Sequence, residues 1–433
     1  MPGRALIFTA VWLVPTLAVS AEVTHVATAA TDLWPVEIDL SAGFVGSIET
    51  ADIAREQFQT NSQGVSTLSL VNQLIYRRTT TSVPLRLAAG IWHNLELHVV
   101  VPIVIGDDQH WESSTGEAGA INQPAGICPE GPSSQCANGI LPTSAQNTLI
   151  PYSLPVDSNR GGIVVGDITI GAAWAPLKEE DTPSFPTWLL GLDYTAPNAG
   201  PMNPTKVSYL TNQTGSIGDG LHHFRPYTAL SKRKGPFDPY LSVWLDFAHA
   251  MGATYDNCSS PYANSGLDQR PNCGVGPFNV DTTRLQPETQ AGMWFGTELV
   301  PYESSDGLKR FSFDLRLIAE FHSDSRSYSQ LSDLLQAWTA QQEYARLGGE
   351  VGLVVHASKY FRLTLNASVL HDTDHWLTQE TLGAPNAPSS TVDLTTHAGQ
   401  SPNYDFRYDA PGSRFRLQNS LIGSLAFNMM VSF

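Results

Sequence analysis

The sequence predicts an all-β protein: a transmembrane, antiparallel, up-and-down β-barrel of about 12 strands with long extracellular loops. Three observations predict it. Apolar and polar residues alternate with period 2 over many segments. The connections between those segments alternate between short and long. The chain also stops on "SLIGSLAFNMMVSF", where Leu421, Gly423, Leu425, Phe427, Met429, Val431 and Phe433 share one parity.

Composition agrees. Charged residues are 15% of the 433, against about 25% in ordinary soluble domains. Hydrophobic residues are 42%, and mean hydropathy is −0.13. That mixture is too polar for a helical membrane protein and too poor in charge for a typical soluble one. With 24 Lys and Arg against 41 Asp and Glu, the net charge of −17 excludes nucleic acid as a partner.

The N-terminus reads as a signal peptide over residues 1–21, with the barrel over 22–433. Arg4 precedes the apolar run "ALIFTAVWLVPTLAV", and Val19-Ser20-Ala21 supplies small residues at a cleavage site. No later stretch reaches the roughly 18 apolar residues of a spanning helix. Strand one is "PVEIDLSAGFVG", with Val36, Ile38, Leu40, Ala42 and Phe44 toward lipid. "NLELHVVVPIVI", "PYLSVWLDFA", "RFSFDLRLIAEFH" and "FRLTLNASV" repeat the alternation, with charges on the polar face. The final segment is strand twelve. It must pair with strand one, because lipid satisfies no backbone donor. Phe433 then sits in the inner aromatic girdle and resembles the signal read by the outer-membrane assembly machinery.

Short connections are expected near 92–94, 177–185, 233–238, 303–309 and 358–360. Long ones are expected near 49–68, 106–162, 197–218, 250–287, 324–344 and 371–414. The cysteines fall in two long loops rich in Gly, Pro, Ser and Asn. Local disulfides Cys128–Cys136 and Cys258–Cys273 are expected in an exported chain, worth about 3 kcal/mol for a 15-residue loop. "SQLSDLLQAWTAQ" places Leu331, Leu334, Leu335 and Trp338 on one face of an amphipathic helix in the fifth long loop. That helix either packs on the rim or acts as a lid.

A barrel of this size leaves a channel of roughly 12 Å before loops intrude. Parity turns Glu37, Asp39, Arg86, Glu96, Asp167, Asp193, Arg225, Asp246, Asp314, Arg316, Glu320, Arg346, Glu350 and Arg362 inward, with His98, His223, His322 and His356. Such charges must largely neutralise one another. The expected constriction is drawn from Asp314, Arg316, Glu320, His322, Arg346, Glu350, Arg362, Glu96 and His98. "HDTDH" (371–375) has the composition of a metal cluster, but carboxylates are ordinary at a barrel rim. No catalytic, cofactor-binding or metal residues are expected. His322 and Ser323 are adjacent on a strand and point to opposite faces, so they form no relay.

"LRLAAGIWHNLELHVVVPIVIGD" (85–107) resembles a hairpin of the outer-membrane proteins assigned to the meta-pathway of phenol degradation, through Gly90, Ile91, Asn94, Glu96 and Pro102. "GDITIGAAWAPL" (166–177) resembles a further strand of that family. The resemblance implies an uptake or efflux channel for small compounds, aromatic or hydrophobic ones among them. The expected function is thus passage of small molecules across the outer membrane of a Gram-negative cell, with a lipid bilayer, the assembly machinery and a small solute as partners. A non-conducting barrel whose disulfide-tied loops bind an external partner is the alternative, and an interfacial lipid hydrolase is another. N-terminal sequencing of protein taken from outer membranes should find Glu22 at or within a residue of the start; finding Met1 would refute the signal peptide.

Overall fold

The structure is a computed structural model that describes residues 21–29, 36–60, 62–64, 66–114, 155–204, 215–250, 257–259, 272–274, 278, 283–358, 360–383, 392–393, 396 and 398–433. Twelve strands close a barrel. They are β1 (Ile38–Thr60), β2 (Ser66–Trp92), β3 (Leu95–Ser113), β4 (Ile168–Leu177), β5 (Thr187–Ala196), β6 (Leu221–Ser231), β7 (Phe237–Ala250), β8 (Thr289–Glu303), β9 (Arg310–His322), β10 (Tyr344–Ser358), β11 (Phe361–Asp372) and β12 (Phe415–Ser432). Each pairs antiparallel with its neighbour in sequence, and β12 returns to β1. That seam runs from Asp39 opposite Ser432 to Arg55 opposite Phe415. Ile38 and Phe433 exchange backbone hydrogen bonds of 2.9 and 3.2 Å, so the last residue is also a rung of the ladder.

Alternation sets the two faces. Leu315 and Leu317 are 52% and 66% exposed, whereas Ser312 and Asp314 between the outward residues are buried. Val36, Ile38, Leu40, Phe44, Leu421, Leu425, Phe427 and Met429 continue the same apolar exterior across the seam. A closed barrel with its large apolar side chains outside and its charges inside is an outer-membrane barrel embedded in a lipid bilayer. Both ends of the barrel sheet lie on the side of the short turns, which in such barrels faces the periplasm.

Beyond the membrane the expectations need correcting. The first long connection, expected near 49–68, is mostly strand: β1 ends at Thr60 and β2 begins at Ser66. The hairpin stays ordered because it has a core of its own. Ile53, Leu74, Tyr76, Trp111, Phe415 and Leu417 cluster there with Leu331, Leu334, Leu377 and Tyr408. The helix is also shorter than expected. Within "SQLSDLLQAWTAQ" only Ser332–Leu335 is α-helical, and Gln336 ends it in a left-handed conformation at φ 52°. Ser325–Ser327 and Thr339–Gln341 on either side pair as a two-stranded ribbon. Leu331 and Leu334 still share one apolar contact surface, but Trp338 joins a separate cluster with Leu221, Ala250 and Leu285. Cys258 and Cys273 form the expected disulfide. Cys128 and Cys136 lie outside the described residues.

Reversing polarity on the two faces should have unequal effects. Leu315→Arg should disfavour the inserted state by about 2–4 kcal/mol if it lies at the bilayer midplane. Asn428→Lys, on the inward face of β12, should be tolerated. Reversible folding into liposomes checks this; equal costs would refute the assignment of faces.

Candidate functional site

The inward face carries three tiers of charge, set by strand register. At the periplasmic end Arg310, His356 and Arg362 face one another across β9, β10 and β11. Asp314, Arg316 and Glu350 form the middle tier. Glu320, His322, Arg346 and Asp372 form the tier nearest the long loops. The expected constriction residues are therefore brought inward but spread along the lumen rather than gathered in one ring.

In the middle tier, Arg316 Nε donates to Asp314 (2.9 Å) and its guanidinium pairs with Glu350 at 3.4 Å. Tyr240 donates to Asp314 at 2.6 Å. The guanidinium also lies over the rings of Trp294 and Tyr240 at 5.3 and 5.8 Å. Arg225 repeats the arrangement, paired with Asp246 at 2.7 Å and 4.7 Å from the Trp244 ring centroid. These rings fit because small residues oppose them. A Cβ at Gly292 would fall 2.3 Å from Trp244, and one at Gly296 would fall 2.5 Å from Tyr240.

In the outer tier, Arg346 Nε donates to Asp372 at 2.6 Å. His322 stacks on Tyr344, which stacks on His375, with centroids 4.4 and 4.1 Å apart. His322 faces Glu288 and Glu320 at 3.3 and 3.7 Å, while the Ser323 hydroxyl donates to a backbone carbonyl instead. The "HDTDH" stretch disperses: His371 meets the Ser420 carbonyl, Asp372 meets Arg346 and His375 meets Tyr344. Above this tier, Asp333 at the helix pairs with Arg160, and both side chains are fully buried. The Ser329–Gln341 loop thereby occupies the outer mouth, with Trp111 donating to the Gln330 carbonyl at 2.8 Å. A cavity of about 170 Å³ lies beside it, lined by His223, Glu288, Tyr328 and Trp338 among others. A larger hollow, about 560 Å³, involves the outward Phe295, Leu315, Leu317 and Val369 and belongs to the lipid face, not to this path.

The inner mouth holds a different insert, residues 21–29. Glu22 accepts from Arg362 at 2.6 and 2.7 Å and pairs with His356 at 2.9 Å. Burial alone would raise the Glu22 pKa, but Arg362 and His356 outweigh it and hold it well below the ordinary carboxylate value. The Glu22 backbone N–H donates to Glu298 at 2.5 Å, and that carboxylate also pairs with Arg310 at 2.7 Å. Thr24 bonds Ser231 at 2.7 Å, and Ala27 N–H donates to Glu96 at 2.8 Å. Glu96 in turn takes Arg86 and His98, whose other ring nitrogen lies 3.0 Å from Asp193. Val23 and Val26 pack against Ala173, Ala175, Leu189 and Ala229.

Sequence reasoning missed Glu298, Arg310 and Asp238, all almost wholly buried on the inward face. Their parity within "FGTELVPYE", "KRFSF" and "FDPYLS" is the signal that would have found them. Segment 21–29 carried no such signal, because it has no strand period.

The fit of the segment depends on Gly90. A Cβ there would fall 2.3 Å from the Thr28 carbonyl carbon, a backbone atom that cannot turn aside. Gly90→Val should therefore expel residues 21–29 while β2 keeps its pairing. Protease should then cut within 22–29 in the folded variant but not in the parent protein; equal protection would refute the docking.

Comparisons with known proteins add only distant likenesses. No protein-family model matches the chain, and no curated protein does. An outer membrane channel from Pseudomonas putida F1 is 12% identical, with 91% of this chain and 95% of that chain covered and a TM-score of 0.40. A FadL homologue from Pseudomonas aeruginosa is 8% identical, with 92% and 90% covered and a TM-score of 0.32. The outer membrane protease OmpT from Escherichia coli is 5% identical, with 92% and 96% covered and a TM-score of 0.28. At such scores none of them bears on what this barrel does; the closed sheet itself defines its class.

Proposed function

We infer that the protein is a channel for small molecules across the outer membrane. The observation that carries this reading is the middle tier of Asp314, Arg316 and Glu350 between two inserts that are not part of the wall. A barrel that only anchors loops could fill its lumen with apolar side chains and avoid the cost of burying charges. Here the wall keeps paired charges at every level, and segment 21–29 and the Ser329–Gln341 loop close the two mouths. Neither insert supplies a strand of the barrel sheet, so either could be released without breaking one.

The solute we favour is small and aromatic. The guanidinium-over-ring platforms at Arg316 and Arg225 support this, since both offer flat π faces beside a cation. The resemblance of residues 85–107 to the phenol-pathway proteins points the same way. Processing after Ala21 fits this picture too. It would turn Glu22 N, 2.5 Å from Glu298, into an ammonium beside a buried carboxylate. The disulfide-tied loop at Cys258–Cys273 favours the second reading, a barrel that displays its loops to an external partner.

Planar bilayers test the channel. Deleting residues 22–29 together with shortening the Ser329–Gln341 loop should raise single-channel conductance several-fold. In that background Arg316→Ala should shift ion selectivity toward cations, because an acidic excess then lines the middle tier. Leu317→Ala, on the lipid face, should leave selectivity unchanged. If folded protein never conducts, even after both changes, the loop-display reading becomes the better account.

A further inference from the structure

The inner mouth brings together three side chains that the charge tiers leave unused. His25, Glu37 and Asp39 each offer one ligand atom, and the three atoms lie within 4.8 Å of one another. His25 comes from the inserted segment, whereas Glu37 and Asp39 come from the start of β1 beside the closing seam. The backbone fixes this approach. Glu37 N–H donates to the Thr28 carbonyl at 2.9 Å, and Thr28 N–H donates back to Glu37 Oε2 at 2.9 Å. That leaves Glu37 Oε1 for another partner.

Asp39 supplies the independent observation. Its side chain is 1% exposed, and neither carboxylate oxygen has a well-formed hydrogen bond. Ser432 stands opposite it in the seam as a neutral polar neighbour. A buried carboxylate without donors is costly unless a positive charge compensates it. The nearby arginines are already taken, Arg362 by Glu22 and Arg86 by Glu96. Lys178 acts electrostatically on His25 and Glu37.

His25 is suited to complete the set. Among the described residues its ring makes no hydrogen bond. As a neutral imidazole the ring keeps a lone pair for a metal. One neutral imidazole and two carboxylates form a mixed nitrogen and oxygen donor set of charge −2.

We propose that His25, Glu37 and Asp39 bind a divalent cation of the zinc class, clipping the inserted segment to the first barrel strand. Zinc takes three protein ligands of this kind and completes a tetrahedron with water. Calcium takes six to eight oxygens and is poorly served here. The metal would give Asp39 the positive partner it lacks.

The test is isothermal titration of zinc chloride into the full mature protein in detergent, after chelator treatment. Heat-modifiable electrophoretic mobility confirms that each variant is folded. The expected result is one zinc site per chain, weakened at least tenfold by His25→Ala and also by Glu37→Gln, with no comparable calcium site. Zinc should also slow proteolysis within 22–29 in the parent protein and not in His25→Ala. Absence of zinc binding, or binding that either folded variant leaves at parental strength, overturns the proposal. His25 lies outside the barrel wall, so its replacement tests the site without touching strand pairing, and neither readout depends on whether the barrel conducts.

Discussion

Backbone pairing between β1 and β12 is the constraint on which everything else rests. Inside a bilayer an unpaired strand edge has no water to turn to, so the sheet must close or fail. Closure turns one face of every strand to lipid and the other to a narrow interior. The apolar exterior, the charged interior and the use of the last residue as a rung all follow from it.

Once closed, the wall confines many charges within a narrow lumen, and the response is local neutralisation. Arginines pair with carboxylates on the neighbouring strand or two residues along their own, as in Arg316 with Glu350 and with Asp314. Glycines at Gly292 and Gly296 make room for Trp244 and Tyr240, so Arg225 and Arg316 are also covered by rings. The interior is thus firm at the level of the wall. What could yield are the two inserts, which are held by hydrogen bonds, ion pairs and apolar packing rather than by pairing in the barrel sheet.

Much of this was legible in the sequence, and the reason is the strand period. Leu315, Leu317, Asp314 and Arg316 could be assigned to their faces because parity is fixed by the pleat. The Cys258–Cys273 pair was legible because it is local. Parity gives a face but not a height, so it could not divide the expected constriction residues into tiers. Nor could it foresee Glu22 against Arg362, a contact made across 340 positions by a segment with no period of its own. The outer hairpin was misread as loop because its alternation gives way to burial on both faces from Ile53 to Glu56. There the strands answer to a small apolar core under the loops rather than to lipid.

The docking of residues 21–29 also carries information about the order of assembly. Its partners are scattered over the sheet: Glu96 on β3, Ser231 on β6, Glu298 on β8, His356 on β10 and Arg362 on β11. No two neighbouring strands offer more than a fraction of that surface. A half-built or open sheet would present these groups too far apart to hold the segment. The earliest part of this barrel in sequence is therefore the last to find its place, and its settling marks the moment at which the wall is complete.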